Sequence, residues 1–310
     1  MAGGTTGSGL PSAARDRMAE IRRSGTWGSA LSTEEFAAIR SVGFEPAGQV
    51  LGAAVYNLGY QGGYNCPGAW SSGFLGGGFS LGARTQVSSR GGWGSFGPLT
   101  KAMYAARRTA ISRMTEECSA LGGHGIVGVR LSIGAFPAGG LEFRAIGTAV
   151  RGQGAAAPPQ PFSSDLSGQD FAKLIMAGWV PAGLALGISI GVRHDDWATR
   201  QASRWGSGNQ EVPGYTELIN EVRHDARVQL QRDVARIGGT GVVIATNHLR
   251  VSERECPSME HARDHLAEVT VIGTAIVPFT RSQPASQPGS LAILSLDPQR
   301  RQAARVRLGP

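Results

Sequence analysis

A chain of 310 residues with 41% hydrophobic residues and a net charge of +7 is long enough for about two domain cores. Its first thirty residues lack the apolar stretch of a secretory leader, and no run reaches the ~18 apolar residues of a membrane span, which predicts a cytoplasmic protein without a transmembrane segment. The positive charge sits at the ends: five arginines against Asp297 in residues 281–310, and Arg15, Arg17, Arg22 and Arg23 against Asp16 and Glu20 in residues 1–31, so nucleic acid is not an expected partner.

Residues 1–31 read as a flexible basic segment, with one short helix over 11–23. Ser32 with Glu35 then has the spacing of a capping box, in which the N-cap hydroxyl takes an orphan amide and the acidic N3 side chain reaches back. Gly43 is placed to end that short leading helix, and Pro46-Ala-Gly to turn the chain into a strand over about 49–56. A glycine- and aromatic-rich loop, 57–99, precedes a long helix with Ala106, Ala110, Met114, Cys118 and Leu121 on one stripe. Strands follow over 126–133, where Val127, Val129, Leu131 and Ile133 alternate with smaller or polar residues, and over 141–150.

The same order then returns. Phe36-Ala-Ala-Ile-Arg-Ser-Val-Gly-Phe-Glu-Pro-Ala-Gly recurs 135 residues later as Phe171-Ala-Lys-Leu-Ile-Met-Ala-Gly-Trp-Val-Pro-Ala-Gly, behind Ser167 and Asp170 and closed by Gly178. Leu218, Val222, Ala226, Leu230, Val234 and Ile237 form the second helical stripe. Leu121-Gly-Gly-His-Gly-Ile-Val matches Ile237-Gly-Gly-Thr-Gly-Val-Val, and Ala145-Ile-Gly-Thr-Ala-Val matches Val271-Ile-Gly-Thr-Ala-Ile. Blocks in fixed order at changing offsets predict a duplicated unit with unequal loops. The fold class expected is α+β: two tandem β-α-β-β domains, 32–151 and 167–280, joined by a linker over 152–166 and followed by a basic Pro/Ser/Arg-rich tail over 281–310. Each domain is a three-stranded antiparallel sheet covered by one long helix, so its other face or its edges need a partner, which predicts mutual packing and oligomerisation.

Leu121-Gly-Gly-His-Gly-Ile-Val-Gly-Val followed by Ile146-Gly-Thr-Ala-Val resembles the YbjQ-like heavy-metal-binding family, over residues 45–151 and again over 180–277. The resemblance implies the β-α-β-β fold, ring-like homo-oligomers and a metal-binding role.

Cys256, His261 and His265 form the one cluster with ligand chemistry, a C-x4-H-x3-H spacing that places both histidines on one face if 257–266 is helical. Thiolate and imidazole suit a divalent or soft metal ion such as zinc, copper or nickel, with Glu253, Glu260 or water as a fourth ligand. Cys118 aligns with Val234 on the buried stripe and reads as a small core hydrophobe. Three cysteines, an odd number, argue against a disulfide framework. Gly123-His-Gly-Ile-Val-Gly128 matches the dinucleotide fingerprint as text, but it follows a helix and opens a strand, the reverse of what a pyrophosphate site requires. In the loop 57–99, Tyr60, Tyr64, Trp70, Phe74, Phe79, Trp93 and Phe96 form a candidate interaction surface for a protein partner. His194 with Asp195 and Asp196 is the best remaining acid–base group and reads as solvated; no catalytic constellation stands out. The leading expectation is a non-enzymatic metal-binding protein that forms a symmetric oligomer. The alternative is an oligomeric interaction or scaffold module without metal, using the aromatic loop.

Overall fold

The computed structural model describes residues 10–57, 85–90, 96–137, 140–154, 158–206, 208–256 and 263–279. After a first helix, α1 (Ser12–Ser24), the chain forms α2 (Thr33–Ser41) and strand β1 (Phe44–Tyr56). A short strand β2 (Gln86–Val87) and a 3-10 turn (Ser88–Arg90) lead to the long helix α3 (Gly97–Ala120), then β3 (Gly125–Phe136) and β4 (Gly140–Gly152). The second half runs β5 (Phe162–Ser163), α4 (Gly168–Met176), β6 (Trp179–His194), α5 (Trp197–Ala202), α6 (Pro213–Ile237), β7 (Gly241–Glu255) and β8 (Arg263–Pro278). These build two four-stranded sheets, in the orders β1-β4-β3-β5 and β2-β6-β8-β7.

Local signals set the short helices. Ser32 and Glu35 close a complete capping box on α2, and Ser167 accepts the Asp170 amide at the start of α4. Gly43 and Gly178 follow these helices at φ +80° and +82°, a region a side chain enters at a cost. The strands begin earlier than expected: Pro46 and Pro181 lie inside β1 and β6, and the Pro-Ala-Gly segments are β-bulges, with register shifts at Pro46/Gly48 and Pro181/Gly183.

Each long helix lies across its own sheet where a glycine lets backbones touch. A Cβ at Gly52 would lie 1.8 Å from the Ala110 carbonyl oxygen, and one at Gly187 would lie 2.2 Å from that of Ala226. The two halves then share one core, as their bare faces require. Along β6, Ala185, Gly187 and Gly191 face α6, whereas Leu184, Leu186, Ile188, Ile190 and Val192 pack towards α3 with Met103 and Phe96. The layers are therefore sheet one, α3, sheet two and α6. Each of the large aliphatic side chains buried between the halves stabilises the joint by about 1.5–3 kcal/mol.

Two parts of the expected aromatic loop are described. β2 crosses to the second half and pairs with β6 at Val192 and Gly191. Phe96 is 4% exposed in the core shared with Ile188, Ile190 and Val192, so it is a core residue and not part of a docking surface. Tyr60, Tyr64, Trp70, Phe74, Phe79 and Trp93 lie outside the described residues.

Candidate functional site

Whether a sheet can add strands depends on what covers its edges. On β6 the outer edge is closed by side chains in succession. Ser163 accepts the Leu184 amide at 3.1 Å, Asp233 that of Leu186 at 2.9 Å, Tyr104 that of Ile188 at 2.7 Å and Ser88 that of Ile190 at 3.2 Å. On β1 the backbone of Gly28 takes the Gln49 amide at 2.7 Å and Glu117 takes that of Leu51 at 2.7 Å. Glu117 and Asp233 are equivalent in the two helices, both nearly fully buried, and each caps the equivalent amide of its sheet. Burial and the interaction with Asp233 push the Tyr104 hydroxyl up to about 12, so it stays a neutral donor.

The outer edge of β3 is closed by backbone. Residues 162–166 run parallel to it: Phe162 N–H donates to the His124 carbonyl at 3.2 Å and Ser164 to that of Ile126 at 2.8 Å, while Gly128 and Val129 donate to Leu166 and Ser164. The ring of Phe162 lies on Gly125, where a Cβ would come within 2.2 Å of it. β7 is different. It ends its sheet, β8 is its one strand neighbour among the described residues, and nearly all of its 15 residues are exposed. Val243, Ile244 and Val251 are 36%, 48% and 49% exposed along it. A long, uncovered, partly apolar edge is a template for another chain.

Beside the far end of this sheet lies a polar cluster. His194 Nδ1 is 2.7 Å from Asp264, His265 Nδ1 is 2.9 Å from Asp195, and the Tyr215 hydroxyl donates to Asp195 at 3.1 Å. Arg193 pairs with Glu217 at 2.8 Å and Asp196 at 3.3 Å. His194 and Asp195 are buried, against the expectation of a solvated group: β6 extends through His194 to pair with Asp264 of β8, and Asp195 is held by His265 and Tyr215. Asp196 is the N-cap of α5, accepting the Thr199 amide at 2.7 Å.

Of the expected metal ligands, His265 lies in β8 opposite Arg193 and Glu253, so residues 263–266 are strand and not helix; His261 is outside the described residues. Cys256 is buried and disulfide-bonded, contrary to the expectation from an odd cysteine count, while Cys118 is free and buried. Ligand atoms of His194, Cys256 and Asp264 come within 4.8 Å of one another. This set does not fit a metal as it stands, because a disulfide sulfur is not the thiolate that binds one.

Comparison with known proteins bears on the same question. The YbjQ family model, described as "Putative heavy-metal-binding", matches residues 84–153. The encapsulin nanocompartment protein Rv1762c of Mycobacterium tuberculosis is 37% identical over 246 residues, covering 76% of this chain and 82% of that protein. No solved structure matches. The relationship overturns the expectation of a metal-binding protein, since this relative is described as a nanocompartment protein; the alternative, an oligomeric interaction or scaffold module without metal, fits it better. No helix among the described residues is long and apolar enough to cross a membrane. By identity and by coverage of both chains, this protein belongs to the family of the mycobacterial nanocompartment protein.

Proposed function

We propose that this chain is a structural, non-enzymatic component of a protein nanocompartment in the cytoplasm, acting by self-association. The observation that carries the reading is the 37% identity over 246 residues to a nanocompartment protein. The uncovered edge of β7 supports it, because a chain built to stay monomeric protects such an edge. The chain is further read as a tandem duplication. Both halves have a capped leading helix and a last strand that lies between the first and the second, and the long helices carry equivalent buried carboxylates. The two domains span 32–151 and 167–280, as the repeat predicts.

The test is the mass and shape of the untagged protein in solution. Light scattering after size-exclusion chromatography is expected to give a defined multiple of 32.3 kDa, with closed particles in negative-stain images. A 32.3 kDa monomer at micromolar concentration would contradict the reading.

A further inference from the structure

The contact between the two halves of one chain describes a second contact that the chain leaves unmade. Residues 163–167 are fixed in their own domain by Thr274: Ser164 Oγ lies 3.0 Å from its hydroxyl, and that hydroxyl accepts the Asp165 amide at 3.1 Å. Residues 28–32 are fixed in theirs in the same way by Thr148, with Ser29 Oγ at 3.2 Å and the Ala30 amide at 3.1 Å. The rings behind these segments also correspond. Phe162 stacks on Phe171 at 5.8 Å, and Trp27 stacks on Phe36 at 6.1 Å.

Only one of the two segments is covered. Phe162–Leu166 lies along the edge of β3, with Ser163, Ser164 and Leu166 buried and the edge of Phe44 against both rings. In the first half Gly28 and Ala30 are exposed, Trp27 is 39% exposed, and Phe36 is half-buried where Phe171 is fully buried. On the other side of the missing contact, β7 is bare where β3 is buried, Gly241 stands where Gly125 receives the Phe162 ring, and half-buried Trp179 stands where Phe44 does. A Cβ at Gly241 would meet nothing but the Ile276 side chain, at 3.3 Å, so the place for a ring is open.

We propose that residues 27–31 of a second copy of this chain lie parallel to the first half of β7, with Trp27 on Gly241 and beside Trp179. This is strand addition, in which backbone hydrogen bonds give affinity and the ring pocket gives register. The contact is head-to-tail: each copy gives one segment and takes another, which builds a ring where the rotation between copies closes and a filament where it does not. It rests on the self-association reading and specifies its surface. The helices do not repeat their part unchanged. Gly168 packs on the Glu35 backbone and Cβ with no room for a side chain, and its equivalent is Thr33, so α2 stands further from α4 between chains than within one.

Two variants test this, one on each surface. Trp27→Ala removes the inserted ring; Gly241→Val fills its place while meeting only a flexible side chain in its own fold. Each is expected to be a folded monomer by circular dichroism and light scattering. Mixed one to one they are expected to give a species of twice 32.3 kDa and no larger, because each variant keeps one intact surface and one productive contact forms. Val243→Lys, at an exposed site on β7, replaces Gly241→Val should that variant fail to fold. A monomeric wild type would overturn self-association itself. An oligomeric wild type with unchanged variants would overturn this surface alone. Monomeric variants that stay monomeric when mixed would overturn the head-to-tail arrangement.

Discussion

Replacing Asp233 with alanine isolates what the helix carboxylates do. Asp233 is 4% exposed; one oxygen accepts the Leu186 amide at 2.9 Å, and the other faces Arg108 at 3.0 Å and Arg236 at 2.9 Å. Leu186 is itself buried, so its N–H would have no acceptor in Asp233→Ala, a cost of about 1–3 kcal/mol. The two arginines are half-exposed, and each ion pair contributes under about 1 kcal/mol. The expected loss is about 2–4 kcal/mol, most of it from the amide. Urea denaturation should show the midpoint falling with an unchanged slope, and Asp233→Asn, which keeps an acceptor, should lose roughly half as much. Arg108→Ala is the control, expected below about 1 kcal/mol. If Arg108→Ala costs as much as Asp233→Ala, the carboxylate acts mainly through its ion pairs and the edge-capping argument is wrong.

Gly187→Ala should destabilise by about 1–3 kcal/mol or more in the same assay, because its Cβ meets the Ala226 carbonyl at 2.2 Å and α6 must lift; a neutral result would mean that helix and sheet are not in contact there. Burial raises the pKa of Asp165 above its usual 3.8, so the folded state holds the proton more tightly and stability falls as pH rises through that value and up to the folded one. Asp165→Asn should therefore melt higher than wild type at pH 7, with the gap closing towards pH 4; a gap that widens on acidification would refute this. Burial pushes the Cys118 thiol up to about 12, so it should resist iodoacetamide at pH 8 until the chain unfolds; alkylation of Cys118 in the native protein would refute it.

Much of the candidate assembly surface was present in the sequence without being legible. Trp27-Gly-Ser-Ala-Leu-Ser32 and Phe162-Ser-Ser-Asp-Leu-Ser167 stand at the same offset of 135 as the rest of the repeat. They share three identities in six positions and lack regular periodicity, so they read as the end of a basic arm and the end of a linker. Their role comes from hydrogen bonds to Thr148 and Thr274, more than a hundred residues away. His194 and Asp195 read as solvated because polar residues ahead of a turn usually are; the tertiary fold buries them by extending β6 along β8, where Asp264, His265 and Tyr215 take up their side chains.

The sequence alone determined whatever depends on near neighbours. The helix N-caps at Ser32 and Ser167 follow from residues three apart, the helical stripes from spacings of three and four, the strands from alternation, and the order of elements from the repeat. Tertiary structure decided where those elements meet: that α3 lies between the two sheets, that Phe96 and β2 belong to the core of the other half, and that β3 is covered while β7 is not. These two strands carry matching sequences, Gly125-Ile-Val and Gly241-Val-Val, so nothing local separates them. What separates them is connectivity, since the chain continues from the first unit into a segment that reaches β3, and the segment equivalent to it, 27–31, is already held in the first unit, leaving β7 open.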